Sequence, residues 1–382
     1  MLYRLLQRND SRKYNPSVLS LMKPTSLKER FEALGVRLHT LAMRPPVPTP
    51  ADAWKLRQIL RKSRPDLIQG WMYHGNLAAT AGAWLAGFTG PVIWNVRHSL
   101  HDLRHEKAVA RAVIRLNARL SHQTRAIVYN AGASIAQHEA IGFAEDRSVL
   151  IPNGFDCKLY RPRPELRAAA RAELGIAEHT PLIGMIARYH PMKDPVNLLD
   201  ALAILMKTPI DPYLVIAGRH FDQDNQLVVK AIAARGLADR VRLLDRRDDV
   251  HRLLAALDVA VLPSAWGEGF PNAIGEAMAA GVPCVATDVG DSAALIGTHG
   301  EVVPPRDPQA LAAALARTLS LDAEARKRIG QAARERILGQ FEIGTIVQRY
   351  QELHDLFLDP ASAAGAPPPM LDQLTSTRTI KA

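Results

Sequence analysis

Cysteine is scarce in this chain, and aromatic residues are few. The two cysteines, Cys157 and Cys284, have no metal-binding spacing, which disfavours both a disulfide framework and a zinc site. Aromatic residues make up 5% of the 382 residues, and none alternates with a basic run as base-stacking surfaces require. We expect the two cysteines to be reduced thiols that lie in different domains. We also expect a cytoplasmic protein that does not bind nucleic acid.

Long hydrophobic runs are also lacking. The longest uncharged stretch, residues 75–96, is rich in alanine and glycine and contains Pro91. It predicts a buried helix, a turn and a strand, because a transmembrane helix needs about 20 predominantly apolar residues. No Gly-x-Gly-x-x-Gly turn follows a predicted strand, which disfavours a plain Rossmann dehydrogenase.

Short apolar runs, by contrast, alternate with alanine- and leucine-rich helical stretches. This alternation is typical of parallel βαβ units, and 382 residues exceed what one hydrophobic core supports. We predict an α/β protein with two sets of parallel strands. The first set is 17–21, 37–42, 66–70, 92–97, 125–129 and 148–151, and the second is 182–187, 213–217, 241–244, 259–262, 284–286 and 301–303.

The most informative stretch lies between residues 264 and 287. Gly269 leaves the backbone open to close approach by a ligand, and Pro271 predicts the first turn of a helix. The backbone amides of the next residues, Asn272 and Ala273, would then point out of the helix N-terminus. Such a terminus is a favourable site for a phosphate or a diphosphate.

Two carboxylates, Glu268 and Glu276, flank this predicted anion site. They suit a sugar nucleotide, because carboxylates accept hydrogen bonds from sugar and ribose hydroxyls. The string Glu-Gly-Phe-Pro-Asn at 268–272, followed by Glu-Ala-Met-Ala-Ala-Gly-Val-Pro from Glu276, resembles the signature of the family 4 retaining glycosyltransferases. The resemblance implies the GT-B fold, with two Rossmann-like doubly wound domains facing a cleft. It also implies that Phe270 helps to bind the donor.

Two cations follow the predicted strand 182–187. Arg188 and Lys193 resemble the family's Gly-Arg-x4-Lys element, with Ala187 where glycine is usual. The resemblance implies that both bind the donor diphosphate, a leaving group that a guanidinium and an ammonium suit. The sequence Asp222-Gln-Asp224 matches a metal-binding motif of another glycosyltransferase fold, but we interpret these residues as polar side chains of a loop. Neither a metal nor another cofactor is expected.

A polar cluster follows the predicted strand 92–97 in the first half of the chain. His98 occupies the family's usual histidine position, which the resemblance places beside the sugar. Arg97 and Ser99 flank it, and His74 follows the preceding strand. We predict these three on the acceptor side; a structural role is the alternative for both histidines.

The resemblance also implies the division into domains. Residues 1–160 would form the acceptor-side domain, and residues 161–342 the domain that binds the nucleotide sugar. A helix near 343–358 would cross back onto the first domain, and the composition of 359–382 predicts a disordered tail.

The N-terminus departs from the family pattern. A Rossmann-like domain opens with a strand and a glycine-rich turn, whereas residues 2–8 already predict a helix and 17–21 corresponds to the family's second strand. The first strand, central in the family's N-terminal sheet, is expected to be missing, which would leave two strand edges inside the sheet. A start assigned too late, a damaged gene product and a natural truncation all fit this pattern.

The formal net charge of +10 belongs to the first domain. Residues 1–160 carry 23 basic and 11 acidic side chains, and the remainder carry 25 and 27. A basic stripe at helical spacing consists of Arg104, Lys107, Arg111, Arg115 and Arg119. It suits the anionic inner face of a cell membrane and a lipid-linked acceptor; a solvated helix face is the alternative.

The implied function is transfer, with retention, of a sugar from a nucleotide-diphosphate sugar to a hydroxyl acceptor. A UDP-sugar donor and cell-surface polysaccharide or glycolipid synthesis are favoured, with Glu268 and His98 as the candidate catalytic residues. Two alternatives stay open: a catalytically inactive sugar-nucleotide-binding protein and a GT-B-like nucleotide-sugar epimerase. The epimerase would need further acid and base carboxylates, which the predicted strand ends of the first domain do not offer.

Overall fold

The computed structural model describes residues 1–23, 28–44 and 48–359. These residues divide into two compact units. The first contains Met1–Gly154 and the C-terminal helix Ile343–Leu358, and the second contains Phe155–Glu342. The predicted disordered tail, apart from its first residue, lies outside the described residues.

The division between the units falls at Phe155 rather than at the predicted boundary between residues 160 and 161. The backbone amide of Phe155 donates to the carbonyl of Phe341 at 2.9 Å, and Phe155 forms a bridge with Glu342. These contacts tie the start of the second unit to its end. Cys157 therefore lies in the same unit as Cys284, and the expectation of cysteines in different domains is wrong. Both thiols are free and buried, and burial raises the pKa of Cys157 to about 11.

The first unit is an α/β structure built from parallel strands. Its strands are β1 (Ser17–Ser20), β2 (Arg37–Thr40), β3 (Ile68–Gln69), β4 (Val92–Val96), β5 (Ala126–Tyr129) and β6 (Ser148–Leu150). Its α-helices before residue 155 are α1 (Leu2–Gln7), α2 (Lys28–Glu32), α3 (Pro50–Ser63), α4 (Met72–Ala86), α5 (Ala108–Leu120) and α6 (Gly132–Glu139). The strand positions predicted from the apolar runs are reproduced with small differences at the ends.

These strands form two sheets within the described residues. Strands β1 and β2 pair with each other, and the second sheet has the order β3-β4-β5-β6. Strands β1 and β2 therefore belong to a different sheet from β3. The family resemblance implies a further, central strand in the sheet of this unit.

The C-terminal helix completes the core of the first unit. Its apolar face packs on β4, β5 and β6, where Ile93, Val128 and Val149 are inaccessible to solvent. That face consists of Ile346, Tyr350, Leu353 and Phe357. Burial of these side chains explains why the helix belongs to the first unit although it follows the second in sequence.

The second unit contains one six-stranded parallel sheet. Its strands are β7 (Leu182–Ile186), β8 (Tyr213–Ala217), β9 (Val241–Leu244), β10 (Val259–Leu262), β11 (Cys284–Thr287) and β12 (Glu301–Val303). Its α-helices are α7 (Pro164–Leu174), α8 (Pro195–Leu205), α9 (Gln226–Ala233), α10 (Val250–Ala256), α11 (Asn272–Ala279), α12 (Ser292–Ile296), α13 (Pro308–Ser320) and α14 (Ala323–Gln340). The strand order is β12-β11-β10-β7-β8-β9, the doubly wound arrangement that the sequence predicts.

None of the helices in the described part of the chain combines the length and the apolar character needed to span a membrane.

The contact between α11 and Phe155 yields a first prediction. A Cβ atom added at Gly275 would lie 2.0 Å from Cζ of Phe155. We expect Gly275→Ala to destabilise the second unit by about 1–3 kcal/mol, because the ring is enclosed and cannot yield freely. Thermal unfolding checks this.

The matched control is Gly339→Ala in α14, where an added Cβ atom would meet nothing within 4 Å. That substitution should be neutral or stabilising by up to about 1 kcal/mol. Equal shifts of the two unfolding temperatures would contradict the packing argument.

Candidate functional site

The carboxyl ends of β7 and β10 carry the sequence-predicted donor residues. Strand β8 pairs with one edge of β7, and β10 pairs with the other edge. The strand order therefore reverses between β7 and β10. Ligands of doubly wound sheets bind at such a reversal. Arg188 follows β7, Lys193 ends the short 3-10 turn Pro191–Lys193, and Glu268 lies in the loop after β10.

Lys193 and Glu268 form an ion pair at this edge. Their side chains are 15% and 8% exposed, so the pair is largely removed from water. The hydroxyl of Ser264 donates to the same carboxylate oxygen, Oε1, at 2.5 Å. Glu268 is therefore held by a cation and a hydroxyl from two different loops, which leaves its other oxygen, Oε2, outside both contacts.

Ser264 is itself anchored by the next strand. Its side chain is inaccessible to solvent, and its carbonyl accepts a hydrogen bond from the hydroxyl of Thr287 at 2.6 Å. The sequence reasoning missed both residues. The available signal was a small hydroxyl side chain at the carboxyl end of each of two buried strands.

The loop after β11 supports the turn that carries Glu268. Gly290 has a φ of +62°, and a Cβ atom there would lie 2.2 Å from the carbonyl oxygen of Glu268. The amide of Asp291 donates to the carbonyl of Gly269 at 2.9 Å. This support was also missed, although a glycine in the loop that follows a predicted strand is a turn signal.

Helix α11 begins at Asn272, one residue later than expected. Pro271 is its N-cap, with a φ of −74° and a ψ of 110°, so the prediction that Pro271 lies in the first helical turn is wrong. The extended ψ is the reason. Pro271 supplies no side-chain cap, and the first-turn amides, including those of Asn272 and Ala273, have no acceptor within the helix. Asn272 is exposed and Ala273 half-buried, so this terminus is accessible to an anion.

The remaining predicted donor residues have different surroundings. Gly269 and Glu276 are half-buried, and Arg188 is exposed. Phe270 is 3% exposed, and its ring lies 6.1 Å from that of Phe155 and 5.1 Å from that of Phe341. The structure thus places the Phe270 side chain in an aromatic cluster that anchors the turn.

Arg97, which directly follows β4, makes hydrogen bonds to three elements of the first unit. Its guanidinium donates to Asn153, to Asn95 at 3.3 Å and to the hydroxyl of Tyr350 at 3.0 Å. It also lies over the ring of Trp71, 5.8 Å from the centroid. These contacts join β4, the turn after β6 and the C-terminal helix, so the guanidinium predicted for the acceptor side has internal partners.

His98 lies next to Arg97 in the chain, and its side chain is 38% exposed. Its Nδ1 is 3.3 Å from the hydroxyl of Tyr73, and its Nε2 is 3.8 Å from Oε1 of Glu106. Ser99 is 4% exposed and donates to Gln137 at 2.7 Å. His74, on the first turn of α4, is exposed. The residue of this turn that reaches His98 is therefore Tyr73.

A second histidine lies behind Tyr73. His138 on α6 is inaccessible to solvent, with Nε2 2.8 Å from the Tyr73 hydroxyl and Nδ1 2.6 Å from the carbonyl oxygen of Ser134. Burial lowers the pKa of His138 to about 4. The sequence contained no signal for this residue, because a histidine within an ordinary helical pattern does not show what it faces.

The Asp222-Gln-Asp224 string lies in the loop after β8. A side-chain oxygen of Asp222 accepts hydrogen bonds from the amides of Asp224, at 3.0 Å, and Asn225, at 3.1 Å. A cavity of about 360 Å³ beside it is lined by Tyr189, His220, Asp222, Asp224 and Asn225. Asp222 thus caps a turn.

Comparison with known proteins covers both units. Residues 1–159 match the family model Glycosyltransferase Family 4, and residues 167–336 match that of Glycosyl transferases group 1. The chain belongs to the family 4 glycosyltransferases of GT-B fold. The resemblance drawn from the Glu-Gly-Phe-Pro-Asn string is thereby confirmed.

Two curated relatives illustrate the likeness. It is 34% identical over 289 residues to a D-inositol 3-phosphate glycosyltransferase of Geodermatophilus obscurus, a match of 66% of this chain and 62% of that protein. It is 28% identical over 214 residues to the Escherichia coli UDP-Gal:alpha-D-GlcNAc-diphosphoundecaprenol alpha-1,3-galactosyltransferase, covering 55% of this chain and 54% of that protein. The chain spans about half the length of several curated relatives that it matches.

Solved structures share the fold. The crystal structure of Anabaena HepE in complex with UDP and glucose has a TM-score of 0.79 and 23% identity, and the match covers 93% of this chain and 94% of that one. This likeness shows the GT-B architecture of two Rossmann-like domains.

The buried His138 gives the protein a predicted pH dependence. The pKa of His138 falls from 6.5 to about 4 on folding, so the unfolded chain takes up the proton first as the pH falls. Its contribution to stability is therefore present above pH 6.5 and lost toward pH 4, by about 1 kcal/mol per pH unit. Urea unfolding between pH 7.5 and about 5 measures the slope.

Substitution His138→Gln should remove the part of the slope that His138 causes. The part due to His354, whose pKa burial also lowers to about 4, should remain. His122→Gln, at an exposed position, is the control for the substitution itself. A slope that survives His138→Gln intact would assign the pH dependence to other groups.

Proposed function

We propose that this glycosyltransferase moves a sugar, with retention of anomeric configuration, from a nucleotide-diphosphate sugar to a hydroxyl acceptor. A UDP-sugar is the favoured donor, and cell-surface polysaccharide or glycolipid synthesis the favoured setting. The observation that carries the proposal is the Lys193–Glu268 pair at the strand-order reversal beside the open N-terminus of α11. The UDP in HepE and the lipid-diphosphate acceptor named for the Escherichia coli relative support the choice of substrates.

The donor diphosphate would bind Arg188, Lys193 and the first-turn amides of α11. An ammonium, a guanidinium and a helix N-terminus together neutralise a departing diphosphate, so the proposal requires no metal. Lys193 is paired with Glu268 in the structure. Donor binding would therefore redirect the ammonium toward phosphate while Ser264 keeps the carboxylate in place.

The freed carboxylate of Glu268 would then accept hydrogen bonds from sugar hydroxyls, and Glu276 from the ribose. Departure of the nucleotide diphosphate leaves an oxocarbenium-like carbon, which the acceptor hydroxyl attacks from the same face. The leaving phosphate oxygen takes the acceptor proton. Glu268 positions the sugar, and no covalent glycosyl intermediate is proposed.

The first unit would supply the acceptor side. His98 is its candidate catalytic residue because its ring is partly exposed, whereas Arg97 and Ser99 are engaged with internal partners. His74 is exposed and stays a candidate for acceptor contact.

A catalytically inactive sugar-nucleotide-binding protein is the second candidate function. The observation that favours it is the division of the first unit's described strands into two sheets, β1-β2 and β3-β4-β5-β6. Such a protein would bind the nucleotide but would not turn it over.

The two glutamates should separate binding from turnover. UDP at about 100 times its dissociation constant should stabilise the wild-type protein by roughly 2.7 kcal/mol in thermal unfolding. Glu276→Ala should lose most of this shift, whereas Glu268→Ala should retain it but lower transfer from a UDP-sugar roughly 100-fold or more. Proton NMR of the product reports the anomeric configuration.

GDP and NAD are the ligand controls for this experiment. A shift with GDP alone would reassign the donor, and an inverted product would refute retention. UDP binding without any turnover by the wild-type protein would favour the inactive alternative, and a shift unaffected by Glu276→Ala would remove that residue from the donor site.

We propose in addition a peripheral contact between α5 and an anionic membrane. Lys107, the N-cap of α5, and Arg115 and Arg119 on the helix are exposed, and Arg111 is half-buried. Arg104 is exposed too, but it lies before α5 in the 3-10 turn Leu103–His105, so the prediction that all five cations share one helical stripe is wrong for Arg104. Val109 and Leu116 on α5 are 55% and 43% exposed. Arg104 is paired with Asp102, so the other four cations carry most of the attraction. Exposed apolar side chains beside cations suit a lipid headgroup surface.

Vesicle sedimentation tests this contact. Arg115→Gln with Arg119→Gln should weaken binding to phosphatidylglycerol vesicles roughly 30-fold, because each basic residue near the membrane contributes about 1 kcal/mol to binding. The control is Arg246→Gln with Lys327→Gln, which removes two exposed charges from the second unit. Equal losses in both double variants would show a nonspecific charge effect, and no binding by the wild-type protein would refute the contact.

A further inference from the structure

The polar side chains around Tyr73 form a chain of three contacts that ends at His98. Tyr73 is 7% exposed, and its hydroxyl lies between two imidazoles, 2.8 Å from Nε2 of His138 and 3.3 Å from Nδ1 of His98. His138 continues the chain to the carbonyl of Ser134 at 2.6 Å. The contacts join α4, the end of β4 and α6.

The direction of each hydrogen bond follows from the buried end. A backbone carbonyl only accepts, so Nδ1 of His138 donates to Ser134. His138 is neutral near pH 7 because burial lowers its pKa to about 4, so its Nε2 carries a lone pair. The hydroxyl of Tyr73 therefore donates to Nε2 of His138. Burial also raises the pKa of Tyr73, which keeps the proton on its hydroxyl.

The hydroxyl of Tyr73 has one proton, and it uses this proton in the hydrogen bond that it donates to Nε2 of His138. Toward His98 the Tyr73 oxygen can only accept, so Nδ1 of His98 carries a proton. The neutral His98 ring then has its lone pair on Nε2, on the side where Glu106 lies at 3.8 Å. Protonation of Nε2 would place a cation next to that carboxylate.

We infer that Tyr73 and His138 are positioning residues that set the tautomer of His98, so that its Nε2 accepts a hydrogen bond from a substrate hydroxyl. The inference deepens the proposed function and rests on it for the role of His98. The tautomer itself is a property of the first unit and can be measured without substrate.

The test is nitrogen-15 NMR of the histidine rings in the full-length protein at pH 8. The spectrum of His98→Gln identifies the His98 signals among the 13 histidines. In the wild-type protein, Nδ1 of His98 should resonate as a protonated nitrogen and Nε2 as an unprotonated one. The reverse pattern would overturn the inference without any need for a Tyr73 variant.

Tyr73→Phe removes the accepting oxygen and should shift His98 toward the Nε2-protonated form. Tyr129→Phe is the matched control, because Tyr129 is also buried and its ring lies 5.3 Å from that of His138, yet no contact joins it to His98 among the described side chains. A His98 spectrum that is identical in the wild-type protein and in Tyr73→Phe would overturn the inference. So would the same change in Tyr129→Phe.

A kinetic measurement separates this inference from the proposed function. Tyr73→Phe should lower kcat roughly tenfold or more, because the altered tautomer presents an N–H where a lone pair is needed. Its stabilisation by UDP should be unchanged, since Tyr73 lies outside the second unit. A changed tautomer with unchanged kcat would support the inference that Tyr73 and His138 set the tautomer of His98. It would refute the proposed role of His98 in turnover.

Discussion

The pairing of β7 with β8 on one side and β10 on the other decides where the second unit can bind a ligand. Because all strands of this sheet are parallel, their carboxyl ends lie at one edge, and the loops that leave β7 and β10 diverge to opposite sides. A gap between diverging loops is the geometric origin of the site. Lys193 and Glu268, 75 positions apart in the chain, become partners for this reason.

Polar groups that the fold buries are held by specific partners at this site. Glu268 is 6% exposed, and burying a carboxylate without partners is costly, so the ammonium of Lys193 and the hydroxyl of Ser264 compensate for its removal from water. The same pairing prepares the proposed chemistry. A diphosphate offers Lys193 a second anion, and Glu268 then turns from an internal partner into an acceptor for sugar hydroxyls.

The first unit shows the same principle with one cation, Arg97, and a series of uncharged groups. Arg97 joins β4 to the C-terminal helix, and the Ser134–His138–Tyr73 contacts hold the histidine next to it in the chain. The carbonyl of Ser134 only accepts and the hydroxyl of Tyr73 has a single proton, so the inferred direction of each hydrogen bond follows from the buried end of the series. In the inferred tautomer, the buried His138 and Tyr73 determine which ring nitrogen of His98 carries the proton.

The sequence by itself determined the parallel α/β class, the positions of the strands and the donor signature. These are local properties, since a buried parallel strand is a short continuous apolar run and the Glu268–Asn272 string keeps its glycine and proline in a fixed local order. The tertiary structure alone decided that Phe155 belongs to the second unit, that Tyr73 rather than His74 reaches His98, and that Lys193 pairs with Glu268. Each of these depends on which distant elements pack together, and the local residue pattern does not contain that information.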